Sequence, residues 1–389
     1  GGDIQASIKA FDELKRNFPR SKLYLDDEVL QRGIILVRTR KYPLAIKTLN
    51  SLLQDYPISK LRDDAHYWLG YVSSFSAELL RKKNKQQALQ EYETSIQHFK
   101  NSDPTALTQS QQQERWYLIG RAWWFMDDIS KTEDAWLQYL KQSKSVKPEK
   151  ALNLKYQLAA KFQQTKKYKQ AESWFARIVK DHPDSKLAAG SAFWRAEMAY
   201  AASIQQTETA DLGPKSVSRL VNNYKIYLAK KDNKHLPLAY YRIGVLEQKN
   251  QPHKTIIAFQ QYLSTKDKTY ASEVQNRLAY LYIESKQLKK AIETFSNYLA
   301  TKDKTYADDA QYRLAYLYIE TKKPEKAIET FKKYLKSGKG KYAVEIQIRL
   351  GYLYIETKQP KKAIEILNKY LASGDTEHLA EIQIRLGYL

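Results

Sequence analysis

One string of eight residues recurs with almost no change. Arg-Leu-Ala/Gly-Tyr-Leu-Tyr-Ile-Glu runs from Arg277 to Glu284, from Arg313 to Glu320 and from Arg349 to Glu356, and begins again at Arg385. The step is 36 residues each time, long enough for two helices and two turns. A single helix pair has an apolar face that it cannot bury alone, whereas stacked pairs bury one another's faces. The chain is therefore expected to grow by neighbour contacts into one elongated array, although its 389 residues would suffice for several globular domains.

The clearest unit runs from Tyr306 to Ser337. Its first helix carries Ala310, Leu314, Ala315, Leu317 and Tyr318, and its second Ala327, Ile328, Phe331, Tyr334 and Leu335, both with the spacing of amphipathic helices. Between them, Thr321-Lys322-Lys323 ends one helix and Pro324 opens the next, where a missing amide proton costs little. The same grammar recurs at Tyr270 to Ala300 and Tyr342 to Ala372, and more loosely at Leu236 to Ser264. Ala291, Ala327 and Ala363 mark places where the two helices of a pair approach closely. Upstream, pairs are expected near Tyr24 to Asp55, Lys60 to Phe99, Gln113 to Lys141, Ala151 to Lys180 and Leu187 to Ala229, after a lone helix from Ile4 to Asn17. Longer connections are expected around Ala77 to Asn84 and Gln205 to Pro214, either as partner-specific loops or as inert excursions. This divides the chain into an irregular part, 1–235, and a regular array, 236–389.

The order Leu314-Ala315-x-x-Tyr318 followed by Ala327 and Phe331 resembles the tetratricopeptide repeat. That resemblance implies an all-α, right-handed superhelical solenoid of antiparallel helix pairs. Two departures stand out: the usual late proline is missing between this copy and the next, and Tyr334 occupies a place where the family often has alanine. Three junctions, at Asn17-Phe18-Pro19-Arg20-Ser21-Lys22, Asp55-Tyr56-Pro57-Ile58-Ser59-Lys60 and Asp181-His182-Pro183-Asp184-Ser185-Lys186, look like those of bacterial envelope tetratricopeptide proteins. These include outer-membrane assembly lipoproteins, the Tol-associated periplasmic division coordinator, and scaffolds around flagellar motors or export machines. A local reading stands beside that one, with proline ending one helix and serine capping the next.

These relatives imply a noncatalytic protein-interaction scaffold in a bacterial cell-envelope assembly, in the periplasm or on the periplasmic face of a membrane, with a cytoplasmic location as the alternative. A ring component of a flagellar or pilus motor and a scaffold for polysaccharide or protein export are narrower versions. In the family alignment the first helix of each pair lines the concave side. This presents Asn276, Tyr280 and Ile283, then Tyr312, Tyr316 and Ile319, then Ile348, Tyr352 and Ile355, with Ile384 and Tyr388 opening a further row. Such a ladder suits an extended segment or a partner helix, or else it packs between repeats and leaves no open groove. Arg277, Arg313, Arg349 and Arg385 each follow an acid by four residues, the spacing of a helix-supporting ion pair.

Lys+Arg outnumber Asp+Glu by 65 to 43, a formal charge of +22, which favours anionic partners by long-range attraction. Lys266, Lys268, Lys302, Lys304, Lys336, Lys339 and Lys341 are candidate contacts for acidic protein, anionic envelope polymer or lipid headgroups. Against a dedicated anion site, residues 301–336 hold nine basic and six acidic residues, so the excess is diffuse and serves solubility equally well. A basic nucleic-acid-binding solenoid is a weaker alternative, because no zinc-finger, homeodomain or RNA-recognition pattern is present. With no cysteine and six scattered histidines, no thiol chemistry, metal site or cofactor is expected, and Gly338-Lys339-Gly340 lacks the spacing of a phosphate loop. No apolar run is long enough to span a membrane. Gly1-Gly2 ahead of an amphipathic segment, and a last copy that breaks off at Leu389, read as a piece of a longer array, with homo-oligomerisation left open.

Overall fold

The computed structural model describes residues 4–18, 25–141, 146–205, 211–336, 340–372 and 378–389. Among them the chain is all-α, with 20 α-helices and one short 3-10 turn. It packs as two units, 1–185 and 186–389. Unit 1 opens with α1 (Ile4–Asn17) and continues with the pairs α2/α3 (Leu25–Arg38, Tyr42–Asp55), α4/α5 (Arg62–Leu80, Lys85–Asn101), α6/α7 (Gln109–Phe125, Ile129–Lys141) and α8/α9 (Pro148–Gln164, Tyr168–Asp181). Unit 2 holds α10/α11 (Ala188–Ile204, Pro214–Leu228), α12/α13 (Leu236–Glu247, Pro252–Ser264), α14/α15 (Ala271–Glu284, Leu288–Leu299), α16/α17 (Ala307–Glu320, Pro324–Lys336), α18/α19 (Ala343–Glu356, Pro360–Leu371) and α20 (Leu379–Gly387). Within each unit a helix packs on its own partner and on the first helix of the following pair, as in α14 on α15 and α15 on α16. Each unit is thus a solenoid of antiparallel pairs.

The turn inside a pair is the same device in both units. After α16, the amide of Lys322 donates to the Ile319 carbonyl and that of Lys323 to the Tyr318 carbonyl, while Lys322 takes a left-handed φ of 56°. This satisfies two carbonyls that the helix end leaves open. Arg40, Asp127, Lys166, Lys286 and Lys358 occupy the equivalent left-handed position, with the same paired bonds around them. Reversal of the chain is therefore carried by backbone bonding, and a long side chain tolerates a conformation that glycine would adopt more cheaply.

Close approach within a pair explains the Leu-Gly/Ala element of the repeat. A Cβ at Gly120 would sit 2.1 Å from Trp136, one at Gly244 2.2 Å from Phe259, and one at Gly351 2.5 Å from Leu367. On the opposite helix, Ala291, Ala327 and Ala363 are fully buried, as their spacing predicts. Replacing Ala327 with leucine is expected to cost about 1–3 kcal/mol by overpacking.

A second device joins one pair to the next. Tyr298 and Tyr334 are fully buried, and their hydroxyls accept the backbone N–H of Tyr306 at 2.7 Å and of Tyr342 at 2.9 Å. Tyr262 does the same for Tyr270 at 2.7 Å, and Tyr227 for His235 at 2.8 Å. The acceptor lies eight residues before its donor, and each donor is the residue preceding the next first helix, which has no side-chain cap of its own. The buried tyrosine therefore fixes where the following pair begins.

Two local expectations change. The first half of the connection predicted around Ala77 to Asn84 is helix, because α4 continues to Leu80 and runs for 19 residues. Of the connection around Gln205 to Pro214, residues 206–210 lie outside the described residues. At the proline junction before α4, Ser59 Oγ accepts the Leu61 amide at 3.0 Å and donates to Asp26 at 2.7 Å. Ser59 thus acts two residues ahead of the helix cap position and ties the junction back to α2.

Candidate protein-binding surface

The first helices of unit 2 bring the tyrosine rows together at one-repeat steps. Tyr280 on α14, Tyr316 on α16 and Tyr352 on α18 are each half-buried, a state between the two readings of the ladder. Their inner edges pack on the cores, with Tyr280 edge-on to Phe295 at 5.7 Å and Tyr316 edge-on to Phe331 at 5.7 Å. Their outer faces meet the next repeat through its arginine. Arg313 lies over Tyr280 at 5.7 Å, Arg349 over Tyr316 at 5.7 Å and Arg385 over Tyr352 at 4.9 Å.

The repeated acids share in this arrangement. Arg277 does form the pair expected from spacing, with Glu273 at 2.8 Å. In the following repeats the carboxylates reach back to phenols: Glu345 accepts Tyr312 at 2.6 Å and Tyr316 at 2.7 Å, and Glu381 accepts Tyr352 at 2.7 Å. Asp309 accepts the Tyr342 hydroxyl, whose ring stacks on Tyr312 at 4.0 Å. Burial, then the bond to Glu381, pushes the Tyr352 phenol up to about 12; burial, then Glu345, raises Tyr312 and Tyr316 as well. These hydroxyls stay protonated at neutral pH and act as donors. The result is a polar zipper between successive first helices that holds each ring in one orientation and leaves part of it exposed.

The other ladder positions differ among themselves. Ile283, Ile319 and Ile355 are half-buried and pack against the repeat cores. Ile348 is buried in a cluster with Leu367, Tyr370 and Ile382, so it belongs to the core and is not an exposed rung. Asn276 is half-buried, and its buried amide oxygen has no hydrogen-bond partner among the described residues. Ile384 and Tyr388 are 61% and 88% exposed.

Among the candidate lysines, Lys266, Lys268, Lys302 and Lys304 are exposed in the turns between pairs. Their intervening aspartates are bonded within the turns: Asp267 accepts the Tyr262 hydroxyl at 2.7 Å, and the exposed Asp303 accepts the Thr305 amide at 2.8 Å. Bonds from Ser272 and Thr305 hold the Asp303 carboxyl down at about 2. Lys341 is exposed, 3.8 Å from Asp309, and Lys339 lies outside the described residues. Lys336 borders a groove of about 680 Å³ between α17 and α19. Pairs such as Lys333–Glu329 at 2.8 Å and Lys369–Glu365 at 2.6 Å balance much of the charge there. Among the described residues no group of three or more His, Asp or Glu is placed to hold a metal ion, and no helix is long and apolar enough to cross a membrane.

Buried pairing faces, a shared turn and a repeated step define an all-α helical-repeat protein. Residues 272–301 and 344–373 match one tetratricopeptide repeat model and residues 309–337 another; the chain carries tetratricopeptide repeats. No curated protein matches it in sequence. Among solved structures, YrrB, described as a TPR protein with an unusual peptide-binding site, is 14% identical over 55% of this chain and 98% of its own, with a TM-score of 0.37. A tetratricopeptide repeat protein from Parabacteroides merdae is 14% identical over 71% and 98%, at 0.33. PilW, a type IV pilus biogenesis factor, is 16% identical over 60% and 98%, at 0.32. Likeness at this level adds nothing about function.

Proposed function

We propose that this chain is a noncatalytic adaptor of a bacterial cell-envelope assembly, working on the periplasmic side and gripping protein partners along the first helices of unit 2. The observation that carries the reading is the half-exposed row Tyr280, Tyr316 and Tyr352. Neighbouring arginines and acids already fix these rings, so a partner that covers them meets ordered aromatic surface and little side-chain entropy is left to lose. Repetition at one step per pair gives several weak contacts in register, and those multiply along a bound segment. The surplus of exposed lysine in the turns favours acidic partners by steering. Support for the envelope placement comes from the aromatic-Pro-x-Ser junctions alone.

Proximity labelling in the native cell tests both parts, comparing the intact chain with Tyr280→Ala/Tyr316→Ala/Tyr352→Ala and with the matching phenylalanine triple. The adaptor reading expects envelope proteins to be labelled, the alanine triple to lose them and the phenylalanine triple to keep most of them, all at comparable helicity. Unchanged labelling by the alanine triple removes these rows as the contact surface. Labelling of cytoplasmic proteins alone removes the envelope placement.

A further inference from the structure

Unit 1 contains a second surface of different chemistry, which no repeat motif announces. Along one face of α4 the rings of Trp68 and Tyr71 lie 5.4 Å apart and those of Tyr71 and Phe75 4.8 Å apart. The row continues through a guanidinium: Arg121 of α6 sits 5.4 Å from the Phe75 ring and 5.9 Å from Phe125, and Arg81 lies 4.2 Å over Phe125. Three rings along α4 are thus followed by guanidinium groups that flank Phe75 and Phe125. Most of this row opens into a cleft of about 700 Å³, which Arg38 and Arg40 border from the end of α2. That volume lies within the range of ligand-binding clefts.

We propose that this cleft binds an extended acidic segment of a partner protein, with an aromatic or aliphatic side chain seated against Tyr71, Phe75 and Leu79 and flanking carboxylates on Arg38 and Arg40. Charge complementarity selects the partner. Of the cleft's charged groups, Arg121 is already paired with Glu78, and its side chain is only 16% exposed, so it serves as fixed floor. Arg38 and Arg40 remain exposed at the rim, where bidentate contact with carboxylates is available. Leu79, 64% exposed beside the rings, extends an apolar patch to the cleft mouth. A single-stranded nucleic acid fits less well. The Glu78 carboxylate lines the cleft, where a phosphate track would pass.

The inference rests on the protein-adaptor reading but uses residues in unit 1 alone, so the two fail separately. The test uses the full chain and fluorescently labelled copolymers, which present every register: glutamate-tyrosine, lysine-tyrosine and plain polyglutamate, with single-stranded oligothymidylate as competitor. Anisotropy is expected to rank glutamate-tyrosine first, and Arg38→Glu/Arg40→Glu to weaken it by about tenfold or more at unchanged helicity. The alanine triple in unit 2 should leave this binding intact. Equal binding by the charge-reversed variant overturns the proposal, since the anion would then be held by lysines elsewhere. So does equal affinity for polyglutamate, stronger competition by the oligonucleotide, or no binding of the glutamate-tyrosine copolymer at all.

Discussion

Removing one oxygen from Tyr298 tests the link between successive pairs. In Tyr298→Phe the ring keeps its fully buried place, but the Tyr306 amide loses an acceptor at 2.7 Å. That amide lies at the start of α16, where the helix supplies it with no internal partner. Deleting an acceptor beneath a partly buried donor is expected to cost about 1–2 kcal/mol, a fall of about 0.5 M in the urea midpoint if the slope is near 3 kcal/mol/M. The control deletes the same atom elsewhere: Tyr352→Phe loses a 2.7 Å bond to the exposed Glu381, where water can replace the partner, and is expected to change stability by less than about 0.5 kcal/mol. Because repeat arrays unfold in segments, amide hydrogen exchange should accompany the denaturation curve. Exchange of the Tyr306 amide should speed up in the first variant and stay unchanged in the second. Equal midpoints for the two variants, with Tyr306 protection intact, would refute the assigned role of the buried tyrosines.

Gly120→Ala should destabilise unit 1 by about 1–3 kcal/mol despite alanine's better helix propensity, because the new methyl meets Trp136 at 2.1 Å. Gly190→Ala, whose methyl meets nothing within 4 Å, should instead gain about 0.5 kcal/mol in the same urea titration. A third prediction concerns pH. The Nδ1 atoms of His66 and His98 lie 3.0 Å apart, and burial, then the charge of His66, pushes His98 down to about 4, while burial, then Arg62, lowers His66. The folded state therefore binds fewer protons than the unfolded chain between pH 6.5 and 4, so stability is complete above 6.5 and falls as pH drops through that window. After allowance for partial exposure, about 1–2 kcal/mol is at stake. Urea titrations at pH 7 and 5 should show a loss that His98→Asn reduces.

The sequence carried the stacking logic in full view, because burial acts on spacing: Ala310, Leu314 and Leu317 face inward as their periodicity requires, and α1 spans Ile4–Asn17 as expected. What spacing could not rank was competition among polar partners. Glu345 and Glu381 stand four residues before an arginine, yet the turn of the solenoid brings phenols from the preceding repeat within 2.7 Å. Pairing along one helix is local, whereas pairing between helices depends on how two pairs settle against each other. The same limit hid the role of Tyr298 and Tyr334, although their recurrence eight residues before the residue that precedes each first helix was a readable signal. The row through Trp68, Phe75 and Arg121 joins residues from two helices without a repeated motif and becomes visible only in space. A connection is expected from about Ala77, but α4 runs on to Leu80 before the chain turns.

The central claim is that partners lie on the first helices of unit 2 and not on the opposite ones. A photo-crosslinking amino acid placed at Tyr316 on α16, and separately at exposed Lys332 on α17, measures this directly in the native cell. The account predicts discrete protein adducts from position 316, few from 332, and loss of the former when Tyr280 and Tyr352 are changed to alanine. Adducts only from position 332, or equal adducts from both, would contradict it.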